Sequence, residues 1–199
     1  MRTYQLLAAL SLPLLAVAAA GCGPDFPTYT VQGQKLIQME ANYSTWTGAA
    51  PSYCGTLDNR GQFEVVLSDS AICGQVHAKA NNRTVFHSSA ETNMRLVFPT
   101  FLMKNADGSF KTNKFTVGTT DCKTTNPSGA TAVAYFSHNA TGSSTYDLNV
   151  QADSGSVSVT AYDGQSSLKG TFDLMFAGEH VTGAFDTVFC MGLDPSYGQ

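Results

Sequence analysis

The chain has 199 residues, 43% of them hydrophobic and 13% charged, with a net charge of −4. Ordinary hydrophobic content with so small a net charge excludes a disordered chain, and 11 Lys+Arg against 15 Asp+Glu exclude a charge-driven nucleic-acid binder. The length allows one domain, and 18 Ser with 22 Thr stand where charges are missing.

Residues 1–22 read MRTYQLLAALSLPLLAVAAAGC. Arg2 supplies a positive start, and Leu6 to Ala20 is an uncharged apolar run of 15 residues. A spanning helix needs ~20. Charge, apolar run and small residues in that order make a secretory signal. Ala19-Ala20-Gly21-Cys22 resembles the lipobox of bacterial lipoproteins, with Ala19 where Leu is usual. The resemblance implies cleavage before Cys22 and attachment of fatty acyl chains such as palmitate to that residue. Gly23, standing where Asp would retain the protein at the inner membrane, implies an outer-membrane address. An ordinary signal peptide cut after Ala20 is the other reading. The expected organisation is a signal peptide (1–21), a lipidated tether (22–33), one β domain (34–190) and a C-terminal tail (191–199).

With Cys22 used by lipid, Cys54, Cys73, Cys122 and Cys190 remain. An even number in an oxidising compartment favours two disulfides, and sequence alone permits three connectivities. Cys54–Cys73 with Cys122–Cys190 is the preferred set. The competing use is metal, but there is no CxxC and no pair of His at zinc spacing, so no metal or cofactor is expected.

Period-two alternation dominates the rest. Gln34 to Trp46 reads as a strand with Ile37, Met39, Ala41 and Tyr43 on one face, or as a helical start at KLIQMEA. Phe63, Val65 and Leu67 alternate, then Met94, Leu96 and Phe98, after a capping box at Ser88 to Glu91 that predicts a short helical turn. Tyr146, Leu148 and Val150 alternate, as do Val157, Val159 and Ala161. Turn-forming clusters separate them, among them Asn81-Asn82, Asn126 to Gly129 and Asp163-Gly164. The expectation is an all-β domain, an antiparallel sandwich or barrel, closed by a C-terminal hairpin.

That hairpin carries an internal echo. Gly170-Thr171-Phe172-Asp173-Leu174-Met175-Phe176 recurs as Gly183-Ala184-Phe185-Asp186-Thr187-Val188-Phe189. Gly178-Glu179 suits a type II′ turn, which wants Gly first. That turn would set Phe172 opposite Phe185 and Leu174 opposite Gly183. The stretch from Phe115 to Cys190 is similar to small secreted β-rich bacterial lipoproteins, through Ser154-Gly155-Ser156-Val157-Ser158-Val159, a G-T-F strand and a closing V-x-G-x-F strand. The similarity implies a sandwich-like fold and no particular activity.

Chemistry is thin. In the expected register Asp173 and Asp186 are diagonal neighbours ~7–8 Å apart on the outer face, within reach of a paired-carboxylate glycosidase. The plainer reading is a solvated edge hairpin. His77 and His87 could face each other across a turn at Asn81-Asn82, but a third metal ligand is missing; His138 and His180 belong to no motif. Ser128 sits in a turn, and Asn105 to Ser109 lacks the distal Glu of an EF-hand. Tyr43, Trp46, Tyr53 and Phe101 could line a groove, though core packing is the commoner use of aromatics. The sequence therefore points to a membrane-anchored envelope lipoprotein with a non-enzymatic structural, adhesive or binding module and a protein or glycan partner. An envelope-polymer hydrolase using Asp173 and Asp186, or a barrel for a small apolar ligand, are the alternatives.

Overall fold

A computed structural model describes residues 26–46, 62–70, 91–99, 105–118, 132–140 and 146–190. Among these the chain is all-β, as expected, with eleven strands in two sheets. The smaller sheet is a hairpin of β1 (Thr28–Val31) and β2 (Gln34–Ile37), turning at Gln32-Gly33. The larger sheet holds β3 (Glu40–Trp46), β4 (Gln62–Ser68), β5 (Glu91–Pro99), β6 (Asn113–Gly118), β7 (Val133–Asn139), β8 (Leu148–Gln151), β9 (Ser154–Tyr162), β10 (Ser167–Phe176) and β11 (Glu179–Phe189).

Its order is β6-β9-β10-β11-β3-β4-β5-β7-β8. Only Ala152 and Asp153 link β8, at one end of that order, to β9, second from the other. So short a link requires the sheet to curl until its ends meet. Ala132 does meet Val117 in a parallel bridge, and Ala132 N donates to Thr116 O at 3.0 Å. The architecture is a half-barrel curl, nearer the barrel expectation than a sandwich. Every strand pair in the larger sheet is antiparallel except one: β11 runs parallel to β3 through Val188↔Asn42 and Phe189↔Tyr43. The closing hairpin exists, but β11 is fourth in the order and interior, not an edge.

One contiguous core fills the curl. Tyr43, Phe63, Phe98, Phe115, Phe136 and Phe176 are its largest fully buried side chains. Tyr162 joins them edge-on, 5.0 Å from Phe63 and 6.0 Å from Tyr43 between ring centroids. Edge-to-face geometry suits the ring quadrupoles. Tyr162 points inward because β9 bulges opposite Lys169/Gly170, which reverses its alternation and leaves Ala161, expected inside, exposed.

Two expectations near the N-terminus change. The expected tether over 22–33 overlaps β1, which packs into the domain with Tyr29 and Val31 buried. Gln34 to Trp46 is neither a helix nor one strand. It breaks at Gln38-Met39, which shifts the alternation: Leu36 and Tyr43 are buried, while Ile37 and Met39 are exposed. Glu91 opens β5. The rest of the capping box, the signal segment and the 191–199 tail lie outside the described residues, as do the turns at Asn81-Asn82 and Asn126 to Gly129.

Candidate functional site

The feature least expected from the alternation is a buried polar face. Phe63, Val65, Leu67, Met94, Leu96, Phe98 and Phe136 point into the curl, yet the opposite faces of β4, β5 and β7 are buried as well. On that second face Val66, Val97 and Val133 lie among Glu64, Ser68, Glu91, Asn93, Ser137 and Asn139. Strand register sets polar groups in rows across the sheet. One row runs Glu40, Ser68, Asn93, Ser137, Asn149, and the next runs Asn42, Val66, Arg95, Tyr135, Gln151.

Glu64 and Arg95 are diagonal neighbours in this lattice, and Arg95 Nε and Nη2 both donate to Glu64 Oε1. Burial pushes the Glu64 carboxyl up while the guanidinium holds it down. Glu64 Oε2 is buried without a hydrogen-bond partner among the described residues. Such a pair is costly to form and costlier to break, because removing one member leaves a charge in a desolvated place. Glu91 lies two residues from Asn93, whose Nδ2 donates to Glu91 Oε1 at 3.1 Å. Its carboxyl is pushed up to about 7, by burial first and by the Asp69 charge second, against lowering contributions from Asn93, Ser70 and Arg95. Burial also raises the Tyr146 hydroxyl, with Arg95 and Asn93 opposing. A carboxyl that titrates near neutrality can exchange a proton there, the profile wanted of a general acid or base.

Asp173 and Asp186 do not form the expected pair. The hairpin turns at Ala177-Gly178, with φ of 48° and 88°, not at Gly178-Glu179. The register is therefore displaced by two residues. Faces are kept, so Phe172 and Phe185 are buried as expected, but each ring opposes a glycine: Phe172↔Gly183 and Gly170↔Phe185. Leu174 faces Val181, not Gly183. Asp173 now opposes Thr182 and Asp186 opposes Lys169. Four residues of offset at ~3.3 Å each separate the carboxylates by about 13 Å along the strands. Both are exposed, and each has its own base: Asp173 Oδ1 is 2.7 Å from His180 Nε2, and Asp186 Oδ2 accepts from Lys169 Nζ at 2.6 Å.

The other candidates scatter. His138 Nδ1 is 2.9 Å from Thr92 Oγ1, far in sequence from His180, and His77 and His87 lie outside the described residues. Asn105 to Ser109 forms a turn, with Ser109 N donating to Asp107 Oδ1 at 2.9 Å. The Asp163 carboxylate caps the next turn, accepting from the backbone N–H of Gln165, Ser166 and Ser167 and from Ser166 Oγ, which holds it far below the usual range. Among the described residues no three His, Cys, Asp or Glu side chains gather to hold a metal, and no helix is long and apolar enough to cross a membrane. Tyr43 is core, 5.3 Å from the Phe189 ring. Trp46 ends β3. Cys190 is buried. Cys22, Cys54, Cys73, Cys122, Ser128, Tyr53 and Phe101 lie outside the described residues. No known protein family matches the chain, and no curated protein or solved structure is detectably similar to it.

Proposed function

We propose that this chain is a cell-envelope lipoprotein, acylated at Cys22, that holds a non-catalytic β module at a membrane, the outer one on the strength of Gly23. The module serves a structural, adhesive or binding role toward a protein or glycan. The observation that carries the reading is the order Arg2, 15-residue apolar run, Ala19-Ala20-Gly21-Cys22, placed six residues ahead of Thr28, where β1 begins. The distance between Asp173 and Asp186, each held by its own exposed partner, His180 for the first and Lys169 for the second, ranks a binding module above an envelope hydrolase built on them. The ring-filled interior ranks it above a carrier of small apolar ligands. Two disulfides, Cys54–Cys73 and Cys122–Cys190, complete the proposal, resting on the even number of cysteines left once Cys22 is acylated.

Cys22→Ser tests the anchor. Metabolic labelling with a fatty acid should mark the parent chain and not the variant, which should leave the membrane fraction. Equal labelling and fractionation of the two would refute the proposal. Intact-protein mass spectrometry after alkylation should find no free thiol at Cys54, Cys73, Cys122 or Cys190; two or more modified cysteines would refute the disulfide scheme.

A further inference from the structure

We propose that the outer face of the β1–β2 hairpin rests on the headgroup layer of the membrane that carries the chain. The proposal depends on the Cys22 anchor. Thr28↔Ile37 is the last pair of the ladder, and Gln38 N donates to Pro27 O at 2.8 Å beyond it. Phe26 and Met39 follow at that same end of the hairpin, where Met39 N turns to donate to Ser68 O at 2.9 Å. Alternation then sends Tyr29, Val31 and Leu36 into the core, leaves Thr28 and Thr30 beside Ile37 and Lys35 on the opposite face, and the chain leaves Phe26 and Met39 exposed just beyond the ladder's end. Phe26 is 42% exposed, Ile37 40% and Met39 57%, half of the exposed large apolar side chains among the described residues. All three gather at one end of one small hairpin, and Lys35 adds an exposed cation to the same face.

Chain length supplies the partner. Three residues lie between Cys22 and Phe26, so four steps along the chain reach at most about 14 Å at ~3.5 Å each. Acyl chains on Cys22 would end at the bilayer surface, so the hairpin end cannot stray further than that from the headgroups. Apolar side chains rimmed by a lysine match an interface of acyl chains and anionic headgroups. So short a tether also makes the contact intramolecular in effect, and a patch too weak to bind alone is occupied once held in place.

Hydroxyl-radical footprinting of the full processed chain tests this. The parent protein in native membrane vesicles is compared with the Cys22→Ser protein in solution, and oxidation is read at Met39 and Phe26 against Phe110, an exposed ring elsewhere. Met39 and Phe26 should oxidise several-fold more slowly in the anchored protein, with Phe110 unchanged. Ile37→Asp in the anchored protein should restore oxidation at Met39 toward the soluble rate without affecting acylation. Equal rates at Met39 with Cys22 acylated would overturn the docking and leave the anchor standing. An unacylated Cys22 would remove the anchor and the docking together. Protection that persists in the Cys22→Ser protein and grows with its concentration would assign the face to a second copy and overturn the proposal.

Discussion

Phe185 lies directly across from Gly170, and its ring occupies the space a side chain there would need: a Cβ on Gly170 would sit 2.4 Å from Phe185 Cζ. The relationship is returned one turn of the echo later. Phe172 faces Gly183, where a Cβ would sit 2.6 Å from Phe172 Cζ and 2.6 Å from Tyr29 Cε1. The repeated G-x-F therefore encodes two reciprocal ring-on-glycine pairs, and the hairpin's register follows from them.

The two glycines differ in what surrounds them. A Cβ on Gly170 would also lie 2.3 Å from Ser158 O, a backbone atom that cannot rotate away, whereas the nearest atoms at Gly183 all belong to side chains. Gly170→Ala should therefore cost about 1–3 kcal/mol, the range for overpacking, and more than Gly183→Ala. Phe172→Ala or Phe185→Ala should cost about 3–5 kcal/mol as lost core rings. Urea unfolding midpoints at constant slope read all four, and a Gly183→Ala cost above that of Gly170→Ala would contradict this account.

Removing Arg95 strands Glu64. Arg95→Met alone should cost about 3–5 kcal/mol, and adding Glu64→Gln should recover much of it, because a neutral amide tolerates burial better than an unpaired carboxylate. A double variant no more stable than the single would show that the guanidinium supports the fold by some other contact.

Glu91 gives the chain a pH signature with an unusual sign. Its folded value is about 7, above the ~4.3 of an unfolded glutamate, so the folded state holds the proton more tightly. The stability this contributes is complete below ~4.3 and is lost as pH rises through about 7. Glu91→Gln should remove that dependence. Thermal midpoints of the parent and the variant should diverge in the variant's favour between pH 5 and 8, and a gap that stays constant with pH would refute the assignment.

The surface acids should behave differently. Asp173→Asn and Asp186→Asn each break an exposed pair, and exposed pairs contribute about 0–1 kcal/mol. Both variants should stay near the parent in stability and keep whatever partner binding the protein has. Loss of a measurable activity in either would revive the hydrolase reading.

The buried faces of β4, β9 and β10 were legible because one apolar side chain at every second position has a single physical meaning. The turn was not. Ala177 adopts a positive φ that alanine disfavours, and it does so because ring-on-glycine packing outweighs the turn's own preference. The echo carried that information, but facing rings and rings facing glycines share the same spacing. The polar face was hidden for another reason. Glu64 and Arg95 occupy positions that alternation assigns to water, and no local rule pairs residues 31 apart. The runs Val65-Val66-Leu67 and Leu96-Val97-Phe98 held the missing signal, since consecutive apolar residues mark strands covered on both sides.

The parallel seam between β3 and β11 has a consequence for how the chain is born. Asn42 waits for Val188, so the sheet's two runs, β3-β4-β5-β7-β8 and β6-β9-β10-β11, cannot pair along this seam until the last strand has been made. Contacts so distant in sequence slow folding. Until then β3 offers a bare edge to any passing strand. A chain cut short of β11 would not be a smaller version of this domain: it would be two half-sheets held together at the Val117–Ala132 bridge, with β3 and β10 left bare.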